Sequence, residues 1–184
     1  NYERIESDHP PGKNYWDESR AILITYGDSI TGPPEPPLAS LNEFVEQRLS
    51  DVISDVHILP FFPSSSDDGF AVKDYLSVDG ELGQWSDIEL ICENRALLVD
   101  LVINHCSSEH PWFEQFKSNA SPGKDFFVEV DPLSDLSKVV RPRTSELLRE
   151  TEREDGSAFV WCTFSHDQVD LDFANPEVLK EMVS

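Results

Sequence analysis

The segment 60–70 brings together three kinds of side chain that proteins use to bind sugars. Its sequence, PFFPSSSDDGF, contains aromatic rings, hydroxyls and the adjacent carboxylates Asp67 and Asp68. Aromatic rings pack against the apolar faces of pyranose rings, and carboxylates accept hydrogen bonds from sugar hydroxyls. A sugar-binding loop is therefore one hypothesis. The alternative is an ordinary turn, because Asp-Asp-Gly is common in turns.

A second group of polar residues lies in the segment DLVINHCS at 100–107. Asp100 interrupts an apolar run, and a carboxylate in such a run must be hydrogen-bonded or paired to offset its desolvation. Strand alternation predicts that Asp100 and Asn104 lie on one side and His105 on the other. These residues could belong to a site. Alternatively, Asp100 anchors a loop and His105 forms an ordinary hydrogen bond.

The segment QVDLD at 168–172 could offer further ligands, but two carboxylates near a helix start are more commonly helix-cap and helix-dipole partners, which is how we interpret them. The chain has no GxSxG motif, no Gly-rich phosphate loop and no HExxH motif, and His105 and His110 are poorly spaced for joint metal binding. The residues alone therefore identify no complete catalytic set.

Alternating strands and helices must position these residues. Short apolar runs at 21–26, 55–59 and 96–103 predict buried strands, and apolar residues at helical spacing predict helices around 38–49 and 85–94. This alternation predicts a parallel sheet whose functional loops follow the carboxyl ends of the strands. A doubly wound sheet and a (β/α)₈ barrel both satisfy the pattern.

Residues 107–157 break this alternation with four prolines, a charged stretch and only short apolar pieces. A compact domain rarely contains so long an unstructured connection, so we expect a small inserted subdomain or a lid. A strand-like run follows at 158–164. Asn175, Pro176 and Glu177 then predict the capped start of a last helix.

The charge balance excludes some classes of partner. The 184 residues include 14 Lys and Arg against 36 Asp and Glu, a formal net charge of −22. Nucleic acids and anionic membrane surfaces are bound mainly through cations, so we expect neither as a partner. The sequence also lacks an apolar run of the roughly 20 residues that span a bilayer. We expect a small or neutral partner.

The three cysteines are widely spaced and form no CxxC pair, which argues against a disulfide framework and favours a reducing compartment. The first residues also lack the basic and apolar segments of a secretory signal. We therefore expect a cytoplasmic protein. Because the chain starts without Met and stops at Ser184 inside a predicted helix, we expect it to be part of a longer protein.

Several segments together resemble one enzyme family. DLVINHCS at 100–107 resembles the first conserved region of the α-amylase superfamily, glycoside hydrolase family 13, and QVDLDFANP at 168–176 resembles the region that closes the inserted B domain of that family. The segments that resemble its sucrose phosphorylase and glucosylglycerate phosphorylase branch are AILITYGDSI, HILPFFPSSSDDGFAVKDYLSVD, LGQWSDIE and VVRPRTSELL.

The resemblance implies an α/β fold, the N-terminal part of a (β/α)₈ TIM barrel with a B domain inserted after strand 3. Residues 21–106 would be the first β/α units of the barrel, and residues 1–20, which are polar and show no sustained period, are interpreted as a leader or linker before it. Residues 107–166 would form the B domain, and residues 167–184 the start of barrel helix 3.

The resemblance also implies a glucose-binding subsite. Asp67 would bind glucose hydroxyls, Phe70 would lie under the sugar ring, and His105 would hydrogen-bond the sugar beside the scissile bond. Asp100 and Asn104 would be the structural support of the site. The residues that match substrate-binding positions are Asp67, Phe70, His105, Arg143, Phe164 and Gln168.

Catalysis itself would depend on residues outside this chain. The nucleophile, the acid/base and the third carboxylate of the family would lie beyond Ser184, so we expect the 184 residues alone to be inactive. Arg141 and Arg143 would contact the anionic acceptor, because a planar guanidinium binds phosphate or carboxylate bidentately. The alternative is that both pair with Glu146 or Glu150 on a solvated surface.

The implied function is an α-retaining glucosyl phosphorylase that transfers glucose from glucosylglycerate, or from a sucrose-like glucoside, to phosphate. Alternatives are a sucrose or sucrose 6′-phosphate phosphorylase, an α-glucoside hydrolase and a non-catalytic sugar-binding remnant. Val140 stands where sucrose phosphorylase carries an aromatic residue, which favours a leaving group other than fructose. The resemblance implies no cofactor and no metal, although the residue of amylases that matches Asn104 binds calcium.

Overall fold

The computed structural model describes residues 17–141 and 143–184, so residues 1–16 of the predicted leader lie outside the described residues. Three short parallel strands form one sheet in the order β1-β2-β3. They are β1 (Ile22–Thr25), β2 (Asp55–Ile58) and β3 (Ala96–Val99). The three predicted strands and their parallel arrangement are confirmed.

Strand β3 ends at Val99, although the apolar run predicted a strand as far as residue 103. Its partner β2 ends at Ile58, and Pro60 beyond it has no N–H to continue a ladder. Residues 100–104 therefore lie outside any strand. The prediction that strand alternation sets the directions of Asp100, Asn104 and His105 is wrong for this reason.

Two helices cover one face of this sheet. Helix α1 (Pro37–Arg48) has proline at its first position, where the missing N–H leaves no hydrogen bond unmade, and helix α2 (Trp85–Cys92) starts with a capping box. Both helices lie where the apolar spacing predicted them. The core between helices and sheet consists of Leu38, Leu41, Val45, Val56, Ile58, Ile88 and Ile91.

The other face of the sheet is open. Leu23 of β1 packs against the helix-covered core, whereas Ile22 and Ile24 point the opposite way and are 42% and 62% exposed. On this open face His57 Nε2 lies 3.0 Å from Asp100 Oδ2, which joins the second strand to the residue that follows the third.

A second set of strands follows the sheet. Strand β4 (His105–Ser107) pairs antiparallel with β7 (Gln168–Asp170), and β5 (Leu148–Arg153) forms an antiparallel pair with β6 (Gly156–Trp161). The strand predicted at 158–164 is thus β6, shifted toward the N-terminus. The β4–β7 pair connects the two ends of the segment that the resemblance assigns to a B domain, and that domain division stays a prediction.

Helix α3 (Pro111–Lys117) packs on a second core that is rich in phenylalanine. Helix α4 (Pro176–Val183) begins where the sequence predicted, because the backbone N–H of Glu177 donates to Asn175 Oδ1 over 3.1 Å. Within the described ranges no helix has both the length and the apolar character that crossing a membrane requires.

Candidate sugar-binding site

The loop after β2 presents Asp67 in an unusual backbone conformation. Residues Asp67–Gly69 form a tight turn closed by a hydrogen bond from Phe70 N to the Asp67 carbonyl oxygen over 3.0 Å, and in this turn Asp67 has φ +55° and Asp68 has φ +50°. The left-handed region is costly for residues with a Cβ atom, and aspartate is among the few that tolerate it. The turn predicted for Asp-Asp-Gly is therefore present, and surrounding contacts must hold it in place.

Gly69 closes this turn at a position that only glycine fits. Its φ is +97°, and a Cβ atom there would lie 2.5 Å from the carbonyl oxygen of Pro60. The backbone of the turn therefore passes directly against the end of β2. This close approach sets the distance of Asp67 from the sheet.

Gln168 connects Asp67 to the β4–β7 pair. Ser165 Oγ donates to Gln168 Oε1 over 2.9 Å, which orients the side-chain amide, and Gln168 Nε2 donates to Asp67 Oδ2 over 2.9 Å. Gln168 is only 1% exposed, whereas Asp67 is exposed. A buried amide thus holds an accessible carboxylate.

His105 lies beside Gln168 and contacts the same loop. Its Nε2 is 3.2 Å from Gln168 Nε2 and 3.0 Å from the carbonyl oxygen of Phe70. Because that carbonyl can only accept, Nε2 carries a proton when this hydrogen bond forms. Burial lowers the pKa of His105, and the Phe70 carbonyl and the carboxylates of Asp170 and Asp67 oppose this only in part.

Two more predicted site residues join this group. The ring centroids of His105 and Phe164 are 5.1 Å apart, and the guanidinium carbon of Arg143 lies 5.8 Å from the Phe164 ring centroid. The structure therefore brings all six sequence-predicted substrate-binding residues into one connected cluster. We call Asp67, Phe70, His105, Phe164, Gln168 and Arg143 the Asp67 cluster; their roles in binding stay predictions.

Arg141 and Arg143 have different surroundings although only one residue separates them. Arg141 donates to Ser145 Oγ over 3.3 Å and to the carbonyl oxygen of Thr163 over 3.2 Å, so it fastens its own loop. Arg143 is exposed and contacts the Phe164 ring. In the part of the chain that the structure describes, neither arginine forms an ion pair with Glu146 or Glu150.

Asn104 and Asp170 connect the segment before His105 to β7. Asn104 Nδ2 is 3.4 Å from Asp170 Oδ2, and the Asn104 carbonyl accepts from Leu171 N over 2.9 Å. Asp170 is buried and also accepts from Thr163 N over 3.0 Å. Burial raises the pKa of Asp170, and its hydrogen bonds from Thr163 oppose this. The interpretation of Asp170 as a helix-cap partner is therefore wrong, because it lies within β7.

Sequence reasoning missed Asp167, which lies next to Gln168 and accepts hydrogen bonds from serines on two distant segments. The signal was weak in the sequence, since serines and an acid far apart along the chain predict no contact. Cys106 and Cys162 are buried free thiols, and Cys92 is an exposed one.

The described residues form no candidate metal site. Over residues 17–141 and 143–184, no group of three His, Cys, Asp or Glu side chains is arranged to hold a metal ion. That the protein uses no metal stays a prediction.

Comparison with known proteins gives matches along most of the chain. A model of the α-amylase catalytic domain matches residues 52–184. Glucosylglycerate phosphorylase of Allomeiothermus silvanus is 51% identical over 168 residues, which are 91% of this chain and 30% of that protein. Sucrose phosphorylase of Streptococcus mutans is 34% identical over 165 residues, 84% of this chain and 34% of that protein. The chain thus spans about a third of the length of such relatives.

Solved structures show the same similarity. The crystal structure of sucrose 6F-phosphate phosphorylase from Thermoanaerobacter thermosaccharolyticum aligns with a TM-score of 0.80 and 34% identity, covering 91% of this chain and 36% of that one. Trehalose-6-phosphate hydrolase of Bacillus licheniformis aligns with a TM-score of 0.77 at 20% identity, covering 92% of this chain and 32% of that one, and indicates the fold alone.

Proposed function

The chain belongs to the α-amylase catalytic domain family, and from this premise we propose that it is part of an α-retaining glucoside phosphorylase. The predicted family and fold class are confirmed by the likenesses above, so β1 to β3 are parallel strands of a (β/α)₈ barrel. The proposed reaction moves glucose from an α-glucoside to phosphate and releases glucose 1-phosphate.

The observation that carries this proposal is the convergence of the Asp67 cluster. A chain of contacts runs from the accessible carboxylate of Asp67 through the buried amide of Gln168 to the buried imidazole of His105. It continues from His105 to the Phe164 ring and from that ring to the exposed guanidinium of Arg143. The carboxylate can accept hydrogen bonds from glucose hydroxyls, and the guanidinium can bind an anion beside the sugar. A sugar and an anion are the two components that phosphorolysis must bring together.

The chemistry of retaining transfer explains what the rest of the protein would supply. A carboxylate attacks the anomeric carbon while a carboxylic acid about 5 Å away protonates the leaving oxygen, and a covalent glucosyl-enzyme forms. A phosphate oxygen then attacks the same carbon and breaks the bond to the enzyme carboxylate. The family resemblance assigns these groups to positions beyond Ser184, so the described residues bind and orient the reactants.

Glucosylglycerate is the substrate that we propose. Three relatives named glucosylglycerate phosphorylase are 51%, 49% and 45% identical to the chain, whereas three named sucrose phosphorylase are 34%, 32% and 28% identical. Val140 is 96% exposed and offers no aromatic surface at the position where sucrose phosphorylase carries one. Both observations favour a glycerate leaving group over fructose.

The test measures glucose 1-phosphate formed by the full-length protein that carries this chain. Glucosylglycerate, glucosylglycerol, sucrose and sucrose 6F-phosphate are each supplied with inorganic phosphate, and free glucose is measured in parallel. We expect the highest kcat/KM for glucosylglycerate and little free glucose. Release of free glucose independent of phosphate would identify a hydrolase. A folded protein that binds glucose but transforms none of the four glucosides would be a sugar-binding remnant.

A further inference from the structure

Asp167 accepts hydroxyl hydrogen bonds from two segments that are far apart in sequence. Ser65 Oγ donates to Asp167 Oδ2 over 2.5 Å, and Ser66 Oγ donates to the same oxygen. Ser108 Oγ donates to Asp167 Oδ1 over 2.7 Å. One carboxylate therefore joins the loop after β2 to the residue that follows β4.

Backbone and hydroxyl contacts strengthen this connection. The N–H of Ser108 donates to the Asp167 carbonyl over 2.8 Å, and Ser107 Oγ lies 2.5 Å from Ser65 Oγ. Because Ser65 gives its one hydroxyl proton to Asp167, it accepts from Ser107. The directions of both hydroxyls are thus fixed by the carboxylate.

Asp167 is connected to the strained turn at Asp67 in two ways, through the serines that it binds and through its neighbour in sequence. Ser65 and Ser66 immediately precede Asp67, which has φ +55°, and Gln168, the residue after Asp167, holds the Asp67 carboxylate. A left-handed residue with a Cβ atom persists only where surrounding structure over-determines it. The contacts of Asp167 supply that restraint on the N-terminal side of the turn.

Neutral hydroxyl groups stabilise the negative charge of Asp167 by hydrogen bonding. Within the described residues no lysine or arginine forms an ion pair with it. Burial acts to raise the pKa of Asp167, but the hydrogen bonds from Ser65, Ser66 and Ser108 outweigh it and hold the pKa below its usual value. The side chain is therefore a carboxylate at neutral pH, able to accept from all three serines.

We propose that Asp167 is a positioning residue that holds Asp67 in its sugar-binding conformation. The inference rests on the proposed function, because it assigns Asp67 to glucose binding. Asp167 touches neither glucose nor phosphate in this proposal, and it acts through Ser65, Ser66 and the turn that they begin.

The experiment compares glucose affinity in variants of the full-length protein, measured by calorimetry, together with kcat/KM for glucosylglycerate. In Asp167→Asn an amide NH₂ replaces one accepting oxygen, so at least one serine loses its acceptor. We expect glucose affinity to fall about ten- to thirtyfold. In the Asp67→Ala background the same substitution should change affinity less than about twofold, because the residue it positions is gone.

The matched control is Asp135→Asn. Asp135 is an exposed carboxylate that accepts from Ser137 N over 3.0 Å in a turn outside the Asp67 cluster. It should leave affinity and kcat/KM unchanged. If Asp167→Asn does not fold, judged by its thermal midpoint, Ser66→Ala removes one donor to the same carboxylate and enters the same cycle.

The outcomes separate the two proposals. An active wild-type protein whose affinity is unchanged by Asp167→Asn, or falls equally with and without Asp67, overturns the positioning role and leaves the proposed function standing. A wild-type protein that neither binds glucose nor forms glucose 1-phosphate overturns both. A loss that disappears in the Asp67→Ala background supports the positioning role.

Discussion

Arg141 and Arg143 are separated by one residue but have very different surroundings. Arg141 donates to backbone carbonyls and a serine, whereas the exposed Arg143 lies against the Phe164 ring. A guanidinium bound to carbonyls stabilises the fold, and an exposed one beside the proposed sugar site can bind an anion. The two residues therefore offer a matched pair of substitutions.

Arg143→Ala in the full-length protein should lower kcat/KM for phosphate about ten- to hundredfold, because charge-assisted hydrogen bonds to phosphate are worth roughly 1.5–3 kcal/mol each. Hydrolysis of a neutral activated α-glucoside should change much less, since water needs no cation. Steady-state rates of both reactions provide the measurement. Arg141→Ala should instead lower both rates or the thermal midpoint, and equal losses for Arg143→Ala would make it structural too.

Asp67 and Asp68 provide a second residue-scale test. Asp67 is held by Gln168 within the Asp67 cluster. Asp68 instead lines a separate cavity with Tyr26 and Asp79. Asp67→Ala should lower kcat as well as raise KM for the glucoside, because hydroxyl contacts strengthen as the ring distorts in the transition state. Asp68→Ala should change both constants little. The reverse pattern would exchange the two assignments.

What the sequence revealed at this scale followed from local motifs. Asp67, His105 and Gln168 stand in short segments that resemble family regions, so their grouping was predictable. Asp167 and Asp170 were not, because their importance comes from burial and from partners such as Ser108 and Thr163 that only the folded chain brings near. A single sequence does not distinguish a solvent-exposed loop carboxylate from one that accepts several hydrogen bonds from distant segments.

At the scale of elements, helix α3 begins with a histidine that must stay neutral. His110 Nδ1 accepts from the N–H of Trp112 over 3.1 Å and so caps the helix. Burial lowers the pKa of His110 to about 4, and the nearby carboxylate of Asp74 opposes this only weakly. A protonated ring could no longer accept that hydrogen bond.

Stability should therefore depend on pH through this cap. The unfolded chain takes up a proton near pH 6.5 and the folded chain only near pH 4, so stability present above pH 6.5 is lost as the pH falls toward 4. The loss from His110 between pH 7 and pH 5 should be about 2 kcal/mol. His110→Asn keeps a capping oxygen without the titration and should flatten the pH dependence of the thermal midpoint.

The control for this measurement is His166→Asn. His166 is exposed and caps no helix, so this variant should keep the pH dependence of the wild-type protein. A wild-type midpoint that does not fall between pH 7 and pH 5 would contradict the expected role of His110.

The turn after β2 gives another element-scale prediction. Gly69→Ala would place a Cβ atom 2.5 Å from the Pro60 carbonyl at φ +97°, so it should cost about 1–3 kcal/mol in stability and raise KM for the glucoside by displacing Asp67. Gly80→Ala is the matched control, since nothing lies within 4 Å of the added atom. Denaturation midpoints and KM values for both variants test this. Equal effects of the two substitutions would contradict it.

The elements themselves were predictable where the pattern was local, and their ends were not. The apolar run 96–103 predicted a strand, but its length depended on β2, whose ladder ends near Pro60. The pairing of β4 with β7 had no signal either, because each strand has only three residues and the two lie far apart in sequence.

At the scale of the whole molecule, the open face of the sheet should determine whether the polypeptide self-associates in solution. Ile22 and Ile24 are exposed there, next to the edge of β1 on which residues 17–141 and 143–184 place no further strand, and in a closed barrel this face points into the interior. We expect the 184-residue polypeptide to self-associate when it is prepared alone, because contiguous exposed apolar surface favours association.

Sedimentation velocity at several concentrations measures this association. Ile24→Lys should reduce the associated fraction, since it places a charge on the open face. Val52→Lys is the control, because Val52 is similarly exposed, 66% against 62% for Ile24, but lies in the turn after α1. A monodisperse monomer with a sharp melting transition would contradict the prediction.

The pairing of β4 with β7 also has a consequence for the order of events during folding. Ser107 of β4 lies opposite Gln168 of β7, so the chain must close residues 108–167 into a loop before the two strands can pair. This closure has an entropic cost of about 3–4 kcal/mol. Pairing β1 with β2 and β2 with β3 closes shorter loops, residues 26–54 and 59–95, and both lie earlier in the chain. During synthesis the sheet can therefore form while the ribosome is still adding the segment that carries Gln168. The proposed sugar-binding site would then assemble late, and a refolding experiment should find backbone protection in β1 to β3 before His105 leaves solvent.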